Sequence, residues 1–219
     1  MREFIQTGPT CGFYCLEYAM AVEEGRDPSA KNVREMLEAA LAEGRTAVGE
    51  LFTADGVEAA FRSMYGGSGT ISRRRLDGKR RLKLAIQEEG VVVLPAMSRR
   101  NIPHYYAVLS RDGDDAKIYD PGDPSHSRMT VGALMRANAG LKSEFDWGDY
   151  FRKRRRLGLY YFLKDHARSP AVMGPAAQRA RRHGRREYEA GRLGGKGEVD
   201  TRGVFFVVKA AKPGAEGAP

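Results

Sequence analysis

A loop of turn formers, Gln6-Thr7-Gly8-Pro9-Thr10, leads into Cys11-Gly12 and then into an almost wholly apolar stretch from Phe13 to Val22. A helix that is apolar on nearly every side is stable only when the rest of the domain surrounds it. The chain must therefore wrap around this segment, with Cys11 at the joint between loop and helix. The positive end of a helix dipole favours a thiolate over a thiol at such a place. Cys11 is the candidate nucleophile, whereas Cys15, one turn further on, is expected to pack in the core.

At 219 residues the chain is long enough for one ordinary domain with a sizeable core. The expected division is a folded part over 1–165 and a basic segment over 166–219, with a final strand at 204–208. Residues 1–150 carry 20 Lys and Arg against 22 Asp and Glu, whereas 151–200 carry 14 against 5. The high overall charge thus belongs to the C-terminal segment and not to the part that holds the candidate nucleophile. Two cysteines four residues apart make no disulfide framework, so a reducing compartment is the natural reading. Met1-Arg2-Glu3-Phe4-Ile5 runs straight into the Gln6–Leu16 stretch, so no cleavable secretory signal is expected. No run of apolar residues is long enough to span a bilayer. A cytoplasmic protein, or one exported without a cleavable signal, fits these observations.

The spacing predicts helices over Cys11–Glu24, from Ser29 as N-cap to Gly44, from Asp55 as cap through Met64, over Lys79–Glu89 and over Thr130–Ala137. Between them, Thr70–Leu76, Val91–Met97, His104–Ser110, Ala116–Tyr119 and Leu157–Leu163 read as strands, with Asp112–Asp115 as a hairpin turn. Helices come first and antiparallel strands second, which predicts an α+β fold.

A cysteine nucleophile needs a histidine that shares its proton and a third group that orients the histidine. His104 opens a buried strand, and Asp120 ends the strand that returns from the hairpin turn. Counted from position 112, the two stand opposite each other, so the carboxylate can accept from the imidazole and fix its tautomer. Asp123 is the fallback orienter. Gln6, on the loop before the helix, supplies an amide that donates beside the Cys11 backbone N–H, giving the two-donor oxyanion hole that acyl transfer requires. Gly8 and Gly12 leave the backbone open for the close approach of a substrate. His126 lies in a polar turn, and His166 and His183 lie in the basic segment, where solvation is expected. Cys-x₃-Cys lacks a second ligand pair, so neither metal nor cofactor is expected.

Gln6, Cys11-Gly12, His104 at a strand start and Asp120-Pro121 at the next strand's end resemble the papain-like cysteine peptidases of the C39-like type. Gln6-Thr7-Gly8-Pro9-Thr10-Cys11-Gly12 is also similar to the motif of the actin maturation proteases, with Gly49-Glu50-Leu51-Phe52-Thr53-Ala54 as a weaker echo. The resemblance covers residues 4–135. It implies a papain-like fold, in which a helical N-terminal part, with the nucleophile at the start of its central helix, packs on an antiparallel sheet. It also implies a cysteine peptidase acting on protein or peptide substrates through an acyl-enzyme. In that scheme Cys11 is the nucleophile, His104 the base, Asp120 its orienter and Gln6 the oxyanion donor. Thr10 stands where bacteriocin-maturing members usually carry aspartate.

The same site serves deamidation or acyl transfer to an amine, which are the nearest alternatives. A different class of reading is a non-catalytic binding module. The basic segment 151–200 is then a surface for an acidic partner, nucleic acid or anionic membrane. A monomer is expected.

Overall fold

The computed structural model describes residues 4–6, 9–46, 49–98, 102–123, 125–146 and 196–211, together with 179, 182, 183, 186 and 190. The elements in chain order are α1 (Cys11–Glu24), α2 (Ala30–Ala42), α3 (Ala54–Tyr65), β1 (Gly69–Arg75) and α4 (Lys79–Leu84), which widens into a π-helical turn (Ala85–Glu89). There follow β2 (Val91–Met97), β3 (Pro103–Asp112), β4 (Asp115–Tyr119), β5 (Arg128–Thr130), α5 (Val131–Ala139), β6 (Glu144–Asp146), β7 (Lys196–Glu198) and β8 (Val204–Ala210).

Six strands form one antiparallel sheet in the order β1-β8-β2-β3-β4-β5, while β6 and β7 pair separately. The alternation of side chains along the strands builds two cores. Val91, Val93, Tyr105, Ala107, Phe206 and Val208 face α1, α2 and α3. Val92, Leu94, Tyr106, Val108, Ile118 and Phe205 pack with Leu82, Ile86 and Leu134 of α4, the π-helical turn and α5. This is the α+β arrangement expected, a helical N-terminal part on an antiparallel sheet. The strand foreseen at 204–208 runs to Ala210 and is central, flanked by β1 and β2.

Helix α1 is buried along most of its length, as its composition demands, and Gly25 closes it in the left-handed conformation at φ 66. Its one charged interior residue, Glu17, is fully buried. Glu17 accepts from the Ser29 N–H at 2.6 Å, from the Arg26 guanidinium at 2.6 Å, from Asn32 Nδ2 at 3.3 Å and from the Tyr65 hydroxyl. These bonds tie the starts of α2 and the end of α3 to α1. Removing the carboxylate orphans several buried donors at once, so Glu17→Ala is expected to lower the unfolding free energy by about 3 kcal/mol. A urea midpoint unchanged from wild type would contradict this.

Several local expectations are corrected. Ser29 precedes α2 but makes no side-chain cap; its N–H is engaged by Glu17 instead. Thr53, not Asp55, caps α3, accepting from the Gly56 N–H at 3.1 Å. Thr130 caps α5 through the Ala133 N–H. The helix expected over Lys79–Glu89 loses its α geometry after Leu84, which is exposed instead of packed. Pro95 lies inside β2, beyond the Val91–Val93 stretch paired with β8. Its carbonyl accepts from Asn138 Nδ2 on the side away from β3, so its missing N–H breaks no ladder bond.

The strand expected at Leu157–Leu163, the run 152–156 and the tail 213–219 lie outside the described residues. Of the basic segment, Arg179 forms an ion pair with Glu38 on α2. Among the described residues no helix is long and apolar enough to cross a membrane.

Candidate active site

Three elements converge on Cys11. Helix α1 begins there and carries no acidic side chain in its first turn to neutralise its positive end. The Cys11 residue is 5% exposed. Gly12 follows because a Cβ there would stand 2.9 Å from Leu51 Cδ1. The close approach foreseen at Gly12 is thus made by the 50–52 loop, not by an open groove. Gly49 holds that loop in place, with φ 100 and room only for a hydrogen, since a Cβ would meet Thr10 Cγ2 at 2.9 Å.

The second element is β3. His104 sits near its start, its side chain 11% exposed, and lines the same cleft as Cys11. Its Nε2 is 2.7 Å from Asp120 Oδ1. Because the carboxylate only accepts, that nitrogen carries the proton, and the other ring nitrogen is left for Cys11. Burial pulls the imidazolium pKa down. The negative charge of Cys11, the hydrogen bond that His104 donates to Asp120 and the Asp120 charge outweigh it and push His104 up to about 10. Burial raises the Asp120 carboxyl, and its bonds to His104, His126 and Gly122 more than reverse this, so it lies below 3.8.

The expected register is corrected, although the contact stands. Asp112 pairs with Asp115 across a tight turn at Gly113-Asp114, and a bulge between Val108 and Ser110 shifts the ladder so that Ala107 faces Tyr119. One step further, Asp120 falls beside Tyr106, two residues from His104. The two meet as diagonal neighbours on one face, a separation that side chains of this length bridge.

The third element is the turn after β4. His126, 4% exposed at its side chain, places Nδ1 2.9 Å from Asp120 Oδ2. Although its turn is polar in composition, His126 is buried beside the acid. The rings of His104 and His126 both meet Tyr106 edge-on, with centroids 5.0 and 5.7 Å away. The fallback acid, Asp123, is exposed and turns to Ser125, bonding its hydroxyl at 2.6 Å and its N–H at 3.1 Å.

Gln6 lies next to this turn. Its N–H donates to the Pro121 carbonyl at 2.9 Å, and Phe4, two residues before it, accepts from the Tyr119 hydroxyl and packs on Tyr14. The loop before α1 is thereby fastened to the segment that carries Asp120. Gly8 lies outside the described residues.

The cleft at Cys11 and His104 is lined further by Glu50, Phe52, Val199 and Thr201. The last two come from far along the chain. The Asp200 N–H donates to Phe52 O, Asp200 Oδ1 accepts from the Ala54 N–H at 2.5 Å, and Asn138 bonds the carbonyls of Thr201 and Val204. Tyr105, below the cleft, donates its hydroxyl to Leu51 O at 2.6 Å. Cys15 is fully buried; burial, then the Cys11 and Asp120 charges, raise its pKa far above that of an ordinary thiol, so it is inert packing. Among the described residues no group of three or more His, Cys, Asp or Glu side chains is arranged to hold a metal ion.

Residues 1–102 match the family described as actin maturation protease-like, C-terminal domain. That match includes Gln6 and Cys11 and ends before His104. The peptidase domain of Streptococcus ComA, a bi-functional ABC transporter involved in a quorum-sensing pathway, is similar at 20% identity and a TM-score of 0.42, covering 57% of this chain and 82% of that one. The Pseudomonas avirulence protein AvrPphB is similar at 12% identity and a TM-score of 0.32, covering 95% and 98%. No curated protein matches the sequence. The first half of the chain is therefore similar to a protease-like domain, in line with its Gln6–Gly12 motif.

Proposed function

We propose that this protein is a papain-like cysteine peptidase that cleaves a peptide bond through an acyl-enzyme. Cys11 acts as the thiolate nucleophile, His104 as general acid and base, and Asp120 as the group that orients His104. The observation that supports this reading is the placement of Cys11, at the start of a buried helix, in one cleft with His104, whose Nε2 lies 2.7 Å from Asp120 Oδ1.

In the acylation step the Cys11 sulfur attacks the scissile carbonyl carbon, and the carbonyl π electrons move to its oxygen. The Cys11 backbone N–H, with the Gln6 amide beside it, stabilises that oxyanion. When the intermediate collapses the C–N bond breaks, and the His104 proton passes to the departing amine. His104, now neutral, takes a proton from water, whose oxygen attacks the thioester. The acid product leaves, and the sulfur and His104 return as the ion pair. Val199, Thr201, Glu50 and Phe52 line the cleft at Cys11 and His104.

The test is N-terminal proteomics with the full chain against its Cys11→Ala variant, with actin among the substrates because the matched family is named for actin maturation. New N-termini that need Cys11 support a peptidase. A Cys11-dependent conversion of a side-chain amide to an acid, or conjugation to an amine with no cleavage, would instead assign the site to the deamidase or acyltransferase alternative.

A further inference from the structure

Asp120 is held from two sides, which the line from Cys11 to Asp120 does not explain. Its Oδ1 takes the His104 Nε2–H at 2.7 Å and the Gly122 N–H at 2.9 Å, while Oδ2 takes His126 Nδ1 at 2.9 Å. His126 belongs to a turn whose described neighbours Gly122, Asp123, Ser125 and Ser127 are exposed, yet its own side chain is buried. The turn delivers it there through two backbone bonds, His126 N–H to Asp123 O and Ile118 N–H to Ser127 O. Its Nε2 is buried and has no hydrogen-bond partner among the described residues. Among the described residues, the side-chain hydrogen bond that holds this buried imidazole is the one to Asp120.

We propose that His126 is a positioning residue, holding the second oxygen of Asp120 so that the first stays aimed at His104. This rests on the Cys11, His104 and Asp120 reading given above. Without the Nδ1–H donor, Oδ2 would be a buried acceptor with nothing to accept from. The carboxylate would turn about its Cβ–Cγ bond toward other donors, and His104 would lose its fixed orientation toward Cys11.

The experiment measures the rate at which iodoacetamide alkylates Cys11 at mildly acidic pH, where only a His-paired thiolate reacts fast, with the label located by peptide mapping. His126→Leu is expected to slow it on the order of 10- to 100-fold, the usual effect of losing a group that orients a functional side chain. His126→Asn, whose Nδ2 can occupy the place of the imidazole Nδ1, is expected to restore most of the rate. His126→Gln, whose amide nitrogen lies one bond further out, is not. A merely structural role would make Asn and Gln equivalent at equal melting temperature, and equal rates in the two would overturn the proposal, as would a wild-type rate in a folded His126→Leu. If His126→Leu does not fold, the Asn and Gln pair decides alone. If wild-type Cys11 reacts no faster than a free cysteine, the peptidase reading itself fails, a result distinct from the other outcomes.

Discussion

Cys11→Ala is expected to reduce turnover by about 10³-fold or more with the fold unchanged, because members of a catalytic unit act together and removal of the nucleophile leaves only binding and oxyanion contacts. Leu51 packs on Gly12 and the helix is held by its apolar neighbours, so the smaller alanine leaves α1 intact. His104→Ala is expected to fall to a similar level, since Cys11 then has no proton partner. The measurement is cleavage of whichever target the proteomic comparison identifies, with melting temperature as the folding control. Residual activity within tenfold of wild type in either variant would remove the residue from the proposed roles.

The second large effect is in the pH dependence. His104 is raised from 6.5 to about 10, so the stability it contributes is complete below 6.5 and is lost as pH rises through about 10. Asp120 is lowered from 3.8, so its contribution is present above 3.8 and is lost as pH falls through its depressed folded value. Stability and activity are therefore expected to hold between those limits, with the alkaline limb belonging to His104. The Cys11 charge is the first of the causes that raise His104. In Cys11→Ala the imidazole should therefore titrate well below its wild-type value, as followed by its ring-proton shift. An identical titration in wild type and Cys11→Ala would contradict a charge-coupled pair.

The sequence made the grouping of Cys11, His104 and Asp120 legible because each of the three residues sits at an element boundary that leaves a local signal. Cys11 follows a run of turn formers and precedes an apolar helix, His104 opens a β-branched and aromatic strand, and Asp120 precedes proline at a strand end. The register between them was not legible. A turn of Gly113-Asp114 and a bulge after Val108 displace the ladder, and nothing in a polar run distinguishes that turn from its neighbours. The burial of His126 was not legible for a related reason. Its turn is polar in composition, and its burial comes from folding back onto Asp120, a contact with no periodic signature. The wall formed by Val199 and Thr201 was missed because it depends on β8 entering the middle of the sheet, which a short apolar strand near the C-terminus does not announce. Glu50 and Phe52 had a trace in the Gly49–Ala54 motif, whose glycine is now accounted for by its positive φ and its contact with Thr10.

The most direct test of the central claim, that Cys11 and His104 form one reactive pair, is intact-mass and peptide-mapped labelling of the full chain with a thiol-directed cysteine-peptidase probe. Cys15 lies fully buried with its thiol pKa raised by that burial, which makes it an internal control in the same helix. The predicted result is a single label on Cys11 in the wild type, none on Cys15, and loss of the Cys11 label in His104→Ala. Labelling of both cysteines at equal rates, or undiminished labelling of Cys11 without His104, would contradict the account.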